Sequence, residues 1–376
     1  CRKTMKCYCN FFRCGNEVWI EGKKILNFVS FVSENTVMKL AETAEITLPF
    51  YSIAYLKGDE IITGSKIDVE GLNIKIGAHI QVYAYYHNIN YGEQVNINFE
   101  NDPEAGKMLV FDGFIKKIKS GFPTTLVCED KCFILRFGVV NKDWTQETSI
   151  YEGLKVCCDV GNEAFKKYRS DNNLTGDYEE ISVADYTATS TFNEKLWQGV
   201  SPFEAAQMLM RKFGIYTGID PEGKLFMGTG LKYTQKKTIK LDTSVNVIER
   251  DVSPKNGKFE NYYVTVNGYV NGKRTTINVG NKGNGRPIRL NCSSIQTQEG
   301  LEEFANNAYQ GLKGEYNSGT ITTLLYPRID LFDYVNFTDT LFPENSANLY
   351  VLGIRREFNE NGYHVSSKLT NEEWMF

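Results

Sequence analysis

The stretch T124-TLVCEDKCFI-L135 admits two readings that lead to different molecules. Cys128 and Cys132 flank Glu129 and Asp130, and thiols beside carboxylates suggest a metal or redox centre. The alternative is framework. The turn Ser120-Gly121-Phe122-Pro123 comes first, so Thr125 to Cys128 should be extended, with Leu126 and Cys128 on one face. Asp130 then suits the N-cap of a short helical turn beginning at Lys131. Cys128 would lie on a strand and Cys132 in a first turn, so their side chains need not converge. Two thiols also fall short of the four ligands that structural zinc takes. The framework reading is preferred, and it makes this a strand of a β-rich protein.

Composition agrees. The chain has 376 residues, enough for two or three domains, with 22 Tyr and 23 Phe against 7 Met; aromatic residues favour strands. There are 42 Lys plus Arg against 46 Asp plus Glu, a net charge of -4. No strongly basic stretch stands out, so no specific nucleic-acid binding is expected. Apolar runs such as Val29 to Val32 and Cys132 to Val140 fall well short of the ~20 residues that cross a bilayer, so no membrane insertion is expected. The sequence starts at Cys1, with Met5 as a candidate initiator and no apolar secretory segment behind it. Nine cysteines, an odd number, read as reduced thiols in a cytoplasmic setting. Cys7 and Cys9 would share one face of a strand and pack as small hydrophobes.

Upstream of the opening stretch the text reads as short strands. EVWIEGKKI holds a Gly-Lys turn between extended pieces, and AEITLPF alternates Ala44, Ile46 and Leu48 with Glu45 and Thr47 until Pro49 ends the strand or confines it to an edge. KIGAHIQVYAYY and KMLVFDGFIKKI are further strands, with Gly113 permitting a bulge or tight bend beside two Phe rings. Between them a polar loop near residues 90–107 is a candidate partner surface.

Downstream the pattern changes. Ser149 with Glu152 forms a capping box for a helix whose face carries Ile150, Leu154 and Cys157 or Cys158. RSDNNLTGDYEE should be a loop. SPFEAAQMLMRKFG writes out a second helix, with Ser201 as N-cap, Pro202 at its first position, a stripe of Phe203, Ala206, Met210 and Phe213, and Gly214 past its end. KLFMG, from Lys224 through Leu225 to Gly228, is a strand. Then Asn271-Gly272 joins a hairpin, one helix spans about 297–313, and TITTLLYP, DYVNFTD, LYVLGIRREFN and YHVSSKL are four more strands.

Candidate chemistry is sparse. His79, His87 and His364 stand alone, without a catalytic or metal-binding signature. Glycines 280, 283 and 285 follow a strand but open no helix, so they make a loop and not a phosphate cradle. Glu179 with Glu180 and Glu302 with Glu303 read as solvated charge. Catalytic, cofactor-binding and metal residues are all expected to be none.

The ordered set LAETAEITLP (Leu40, Thr43, Ile46, Leu48, Pro49), FDGFIKKI (Phe111, Asp112, Gly113, Ile115), a strand ending in CED (Asp130), the helix after Ser201, and KLFMG (Leu225, Gly228) resembles the baseplate hub or late control proteins of tailed bacteriophages. The closing run LYVLGIRREFNENGYHVSSKL is similar to the last strands of their second tube-type barrel. The resemblance covers the chain from about Met5 onward; the amino-terminal cysteine cluster and the polar loop near 90–107 depart from it. It implies a mainly β fold with α+β, in which two tube-type β-barrel domains flank a small α+β domain. The boundaries expected are 1–14, a cysteine-rich leader or first strand; 15–142, the first barrel; 143–236, the α+β piece; and 237–376, the second barrel with its inserted helix. It also implies a structural protein of the virion tail, assembled in the host cytoplasm. A homotrimer would join a sixfold tail tube to a threefold spike, with tube, spike and tape-measure proteins as partners. The same fold would serve in a prophage or a contractile injection system.

Two other classes remain open at this level. A surface or carbohydrate-binding β protein would line a groove with Trp19, Trp144, Trp197 or Trp374. A cell-wall hydrolase would need a cleft holding a carboxylate or His of perturbed pKa.

Overall fold

The computed structural model describes residues 11–49, 53–57, 60–64, 74–89, 107–121, 123–142, 148–185, 187, 191–192, 198–213, 216–220, 222–228, 237–255, 262–270, 273–280, 285–292, 297–313, 316–324, 327–360 and 362–371. The Cys7/Cys9 reading, most of the polar loop after residue 90, Trp144, Trp197 and Trp374 lie outside them.

Among the described residues nine strands come first: β1 (Phe11–Ile20), β2 (Lys23–Ile25), β3 (Ser30–Thr36), β4 (Thr43–Leu48), β5 (Ile53–Lys57), β6 (Glu60–Gly64), β7 (His79–Ile89), β8 (Met108–Lys119) and β9 (Thr124–Asp130). The period-2 reading of β4 holds: Ala44, Ile46 and Leu48 are buried and Glu45 is exposed. Pro49 falls one residue past this strand, which is interior because β3 and β9 pair with its two sides. Gly113 is not a bulge. The register slips at Val82/Tyr83 opposite β8 and at Ile115/Lys117 within it, whereas a Cβ on Gly113 would lie 2.2 Å from the Glu129 carbonyl oxygen. Close approach of two backbones, not bending, requires that glycine.

After β9 a 3-10 helix spans Lys131–Arg136. Next come β10 (Val140–Asn141), β11 (Thr148–Ser149), α1 (Ile150–Asp171), β12 (Ser182–Val183), β13 (Thr191–Phe192), β14 (Gln198–Val200), α2 (Pro202–Phe213), β15 (Tyr216–Ile219) and β16 (Lys224–Gly228). The capping box is present: Glu152 N–H donates to Ser149 Oγ at 3.1 Å, and Ser149 N–H donates to Glu152 Oε2 at 3.3 Å. Helix α1 continues to Asp171, so Arg169, Ser170 and Asp171 are its last turn and not the start of a loop. In α2 the buried stripe is Phe203, Ala205, Ala206 and Leu209, with Met210 only partly buried. It is wider than periodicity suggests because α2 packs on both α1 and the 3-10 helix. The Phe213 side chain and Gly214 lie outside the described residues.

The last part holds β17 (Thr238–Asp242), β18 (Val247–Lys255), β19 (Tyr262–Val270), β20 (Lys273–Gly280), β21 (Arg286–Cys292), α3 (Gln298–Lys313), β22 (Tyr316–Thr323), β23 (Tyr334–Thr338), β24 (Ala347–Asn359) and β25 (Gly362–Thr370). One sheet runs β18-β22-β25-β24-β3-β4-β9-β8-β7-β1-β2-β5-β6, with β17 and β23 joined to it through β24. The hinge of this order is the antiparallel ladder from Gly353↔Thr36 to Phe358↔Phe31, which links the early strands directly to the late ones. A single apolar core follows the sheet, from Val18, Phe31 and Ile46 through Phe337, Val351 and Tyr363. A second core joins Phe114, Phe133 and Leu135 to α1, α2 and Leu225. The fold is therefore mainly β with an α+β piece against it.

The Asn271-Gly272 hairpin has the expected register, Val270↔Lys273. Its strands do not join the large sheet, however. β20, β19 and β21 form a separate three-stranded sheet backed by α3, with its own small core around Val264, Val266, Leu301 and Ala305.

Candidate functional site

Where β9 ends, the sequence reading of the opening stretch is realised at atomic level. Asp130 Oδ1 accepts the Cys132 N–H at 3.0 Å, and its Oδ2 accepts the Glu42 N–H at 2.9 Å. One carboxylate thus caps the 3-10 helix and ties it to the loop before β4. Both sulfurs are buried, in different cores: Cys128 Sγ donates to the Leu126 carbonyl at 3.8 Å and Cys132 Sγ to the Leu40 carbonyl at 3.2 Å. Burial pushes both thiols well above their ordinary pKa, which leaves them protonated and inert. Among the described residues no cluster of three or more His, Cys, Asp or Glu is arranged to hold a metal.

The same corner collects charges that no local motif announced. Glu129, fully buried, receives Lys116 at 2.6 Å and Arg136 at 2.8 Å. Lys131, nearly buried, reaches Glu179 at 2.8 Å and Asp112 at 3.5 Å, and Asp112 also meets His79 Nε2 at 2.7 Å. Burial works against the charge on Asp112, but the hydrogen bond and charge of His79, with Lys131 beside it, hold its carboxyl below the usual range. Glu179, read from sequence as solvated, keeps an exposed side chain and still anchors a buried lysine.

Across from these groups stands Arg356, on β24. It donates to Glu42 at 3.2 Å, to Asp330 at 3.0 Å and to the Ile329 carbonyl at 3.2 Å. Asp330 also receives Arg328 at 2.8 Å and Lys237 at 3.3 Å. Burial would raise its pKa, yet Arg356, Arg328 and Lys237 together pull it down to about 2. A further buried pair closes the other side of the α+β piece. Arg169 donates to Glu21 Oε1 at 3.0 Å and Oε2 at 3.1 Å, and to the carbonyls of Gly77 and Gly176.

Between the ion pairs of Lys131 and those of Arg356 lies a cleft of about 340 Å³, lined among others by Glu42, Asp112, Asp130, Lys131, Asp330 and Arg356. It lies where the early strands, the α+β piece and the late strands meet. An acid-lined cleft is what a hydrolase would require, and burial does push the Asp130 carboxyl well up. Both oxygens of Asp130 nevertheless face backbone N–H donors, and Glu42, Asp112, Glu179 and Asp330 are bound to cations. Carboxylates held in this way clamp three parts of the chain together.

The sequence-selected residues divide by role. Phe111, Asp112 and Asp130 line the cleft, and Ile46, Leu48 and Ile115 pack in the main core beside them. Thr43 pairs with Glu129 at the start of β4, Leu40 supplies the carbonyl under Cys132, and Gly113 lets β8 close on β9. Ser201 accepts the Glu204 N–H at 3.2 Å at the head of α2. Leu225 is buried in the second core and Gly228 pairs with Tyr216, both away from the cleft lining. Glu21, Lys131, Arg169, Asp330 and Arg356 were missed. For two of them the pattern held a signal: Arg169 continues the buried stripe of Ile150, Leu154, Cys158 and Phe165, and Arg356 shares the inward register of Ile354. Of the four tryptophans only Trp19 is described. Its N–H donates to Glu17 at 3.0 Å, and Lys107 sits 4.8 Å over its ring.

No protein-family model and no curated protein matches the sequence. Solved structures do match. The tail protein from Neisseria meningitidis MC58 superposes with a TM-score of 0.55 at 12% identity, covering 96% of this chain and 98% of that one. The 43 kDa tail protein of prophage MuSo2 from Shewanella oneidensis gives 0.56 at 14% identity, covering 94% and 97%. The prophage tail protein gp18 from Listeria monocytogenes EGD-e gives 0.50 at 11% identity, covering 95% and 94%. Over nearly its whole length, the chain has the fold of these phage tail proteins.

Proposed function

We propose that this chain is a structural, non-enzymatic component of a phage or prophage tail baseplate: a hub that assembles as a homotrimer and joins the tail tube to the spike. The observation that carries this reading is the end-to-end correspondence with whole tail proteins, with both chains covered. A fold matched over part of its length would say less.

The internal physics supports a mechanical role. The early and late strands share one ladder through β24 and β3 and the Arg356–Glu42 pair, and the joint with the α+β piece is closed by the buried Arg169–Glu21 pair. Among the described residues the sheet order ends at β18 on one side and β6 on the other, and strand edges are natural places for neighbouring subunits to pair. The side chains selected by motif, from Leu40 and Asp112 to Asp130 and Ser201, act as framework that sets the joint and carry no chemistry. In this reading the division at about 142 and 236 separates two tube-type barrels and their connector, and assembly takes place in the host cytoplasm.

Sedimentation of the purified chain, alone and with candidate spike and tube proteins, tests the proposal. A trimer that captures a spike trimer on one side and tube protein on the other is expected. A monomer at high concentration that binds neither would overturn it.

A further inference from the structure

The sequence from residue 261 to 298 holds Lys273, Arg274, Lys282, Arg286 and Arg289 and no Asp or Glu, inside a chain whose net charge is -4. This run is the sheet β20-β19-β21. Its inner face packs on α3: Val264, Val266 and Ile277 lie in that core, and a Cβ on Gly268 would strike Leu301 at 2.7 Å. Alternation sends the other residues outward.

The register orders that outer face in rows: Gly280, Tyr263 and Pro287; Asn278, Thr265 and Arg289; Thr276, Asn267 and Asn291; then Arg274 and Tyr269. The amides and hydroxyls bond to one another, Thr265 to Asn278 at 2.9 Å, Thr276 to Asn267 at 3.0 Å and Asn267 to Asn291 at 3.3 Å, so their orientations are fixed. Arg274, Thr276, Asn278, Arg289 and Asn291 are exposed, and Tyr269 is 54% exposed.

We propose that this face binds an acidic glycan. Preset amides and hydroxyls match sugar hydroxyls, which both donate and accept. Tyrosine rings offer a stacking surface with a polar edge. The guanidinium groups of Arg274 and Arg289 suit a carboxylate, phosphate or sulfate substituent, whose two oxygens meet the arginine fork. The absence of carboxylates along residues 261–298 is the charge complement of such a chain. A protein partner would call for an apolar centre, and the outer face offers only Pro287 besides its tyrosines. Single-stranded nucleic acid would call for aromatics under successive bases. Tyr263 and Tyr269 lie six residues apart on one strand, roughly 20 Å, with neutral polar groups between them.

The test uses the full chain and three probes: polygalacturonate as acidic glycan, dextran as neutral glycan, and a thymidine oligonucleotide. Polygalacturonate should bind well above dextran, and the Arg274→Ala/Arg289→Ala variant should weaken it about tenfold at physiological salt, with Tyr269→Ala weakening it further. Raising the salt should shrink the arginine effect, because exposed charges are screened. Glu302→Gln, on the exposed side of α3, should bind as the parent does. Equal retention of dextran, failure to bind polygalacturonate, or an unaffected arginine variant would overturn the proposal. Tighter binding of the oligonucleotide with the same variant sensitivity would overturn it in favour of a nucleic-acid platform.

Discussion

Replacing Arg169 with Met removes one partner of a buried pair while keeping the length of the side chain. Arg169 is 3% exposed and makes four hydrogen bonds: two to Glu21, and one each to the carbonyls of Gly77 and Gly176. Glu21 is just as fully engaged. Its Oε1 accepts the His79 N–H at 2.6 Å and its Oε2 the Gly176 N–H at 2.6 Å, in addition to the two arginine donors. Loss of the guanidinium would strand a carboxylate away from water and leave two carbonyls short of a donor. Breaking such a pair costs about 3–5 kcal/mol, against roughly 0–1 kcal/mol for a pair on the surface. The assay is urea unfolding followed by circular dichroism, with hydrogen exchange at the Gly176 amide as a local readout. The midpoint should fall with little change of slope, and Gly176 should exchange faster. In the Glu21→Gln/Arg169→Met double variant the loss should be smaller than the sum of the two singles by about 1–3 kcal/mol, as expected for groups in direct contact. A cost below about 1 kcal/mol for the single variant, or simple additivity, would refute the view that this pair holds α1 to the end of β1.

Other outcomes follow from the same geometry. Asp330 titrates near 2 in the folded chain against an ordinary 3.8; a lowered carboxylate pKa stabilises the fold above the unfolded value. That contribution should be complete above about pH 4 and disappear as the pH falls towards 2. Asp330→Asn should flatten the acid limb of the unfolding midpoint against pH, and an unchanged limb would contradict the assignment. Gly113→Ala forces a methyl to 2.2 Å from the Glu129 carbonyl, so the β8–β9 pairing must shift at a cost of about 1–3 kcal/mol, measured by thermal or urea unfolding. Ser149→Ala removes half of the α1 capping box and should cost about 1 kcal/mol, with the loss visible as fraying of the first turn in hydrogen exchange. Zinc should leave the unfolding midpoint of the parent chain unchanged, as it does that of the Cys128→Ala/Cys132→Ala variant, since the two thiols face different cores; stabilisation of the parent by zinc that the variant loses would restore the metal reading.

Local elements were legible because local chemistry writes them. The capping box at Ser149, the N-cap at Asp130, the alternation through Ala44, Ile46 and Leu48 and the Asn271-Gly272 hairpin each depend on residues a few positions apart, and each appears where it was expected. The errors have a common form. Arg169 was assigned to a loop, Gly113 to a bulge or tight bend, and the hairpin to the larger β region, because in each case the deciding contact comes from a distant segment: Glu21, Glu129 and α3. The cleft was illegible for the same reason. Glu42 and Arg356 are 314 positions apart in the chain and meet only because β24 lies against β3.

By itself the sequence determined the caps of α1 and of the 3-10 helix, the alternation along β4 and the Asn271-Gly272 hairpin, that the chain would be mainly β, and that Cys128, Cys132, Cys157 and Cys158 would be packing residues, because periodicity, caps and turn residues act over a few residues. The tertiary structure alone decided which strands neighbour one another, which charges are buried and paired, and that one acid-free sheet stands apart from the rest. Those outcomes depend on long-range register and on the desolvation of charge, and neither is encoded within any single stretch.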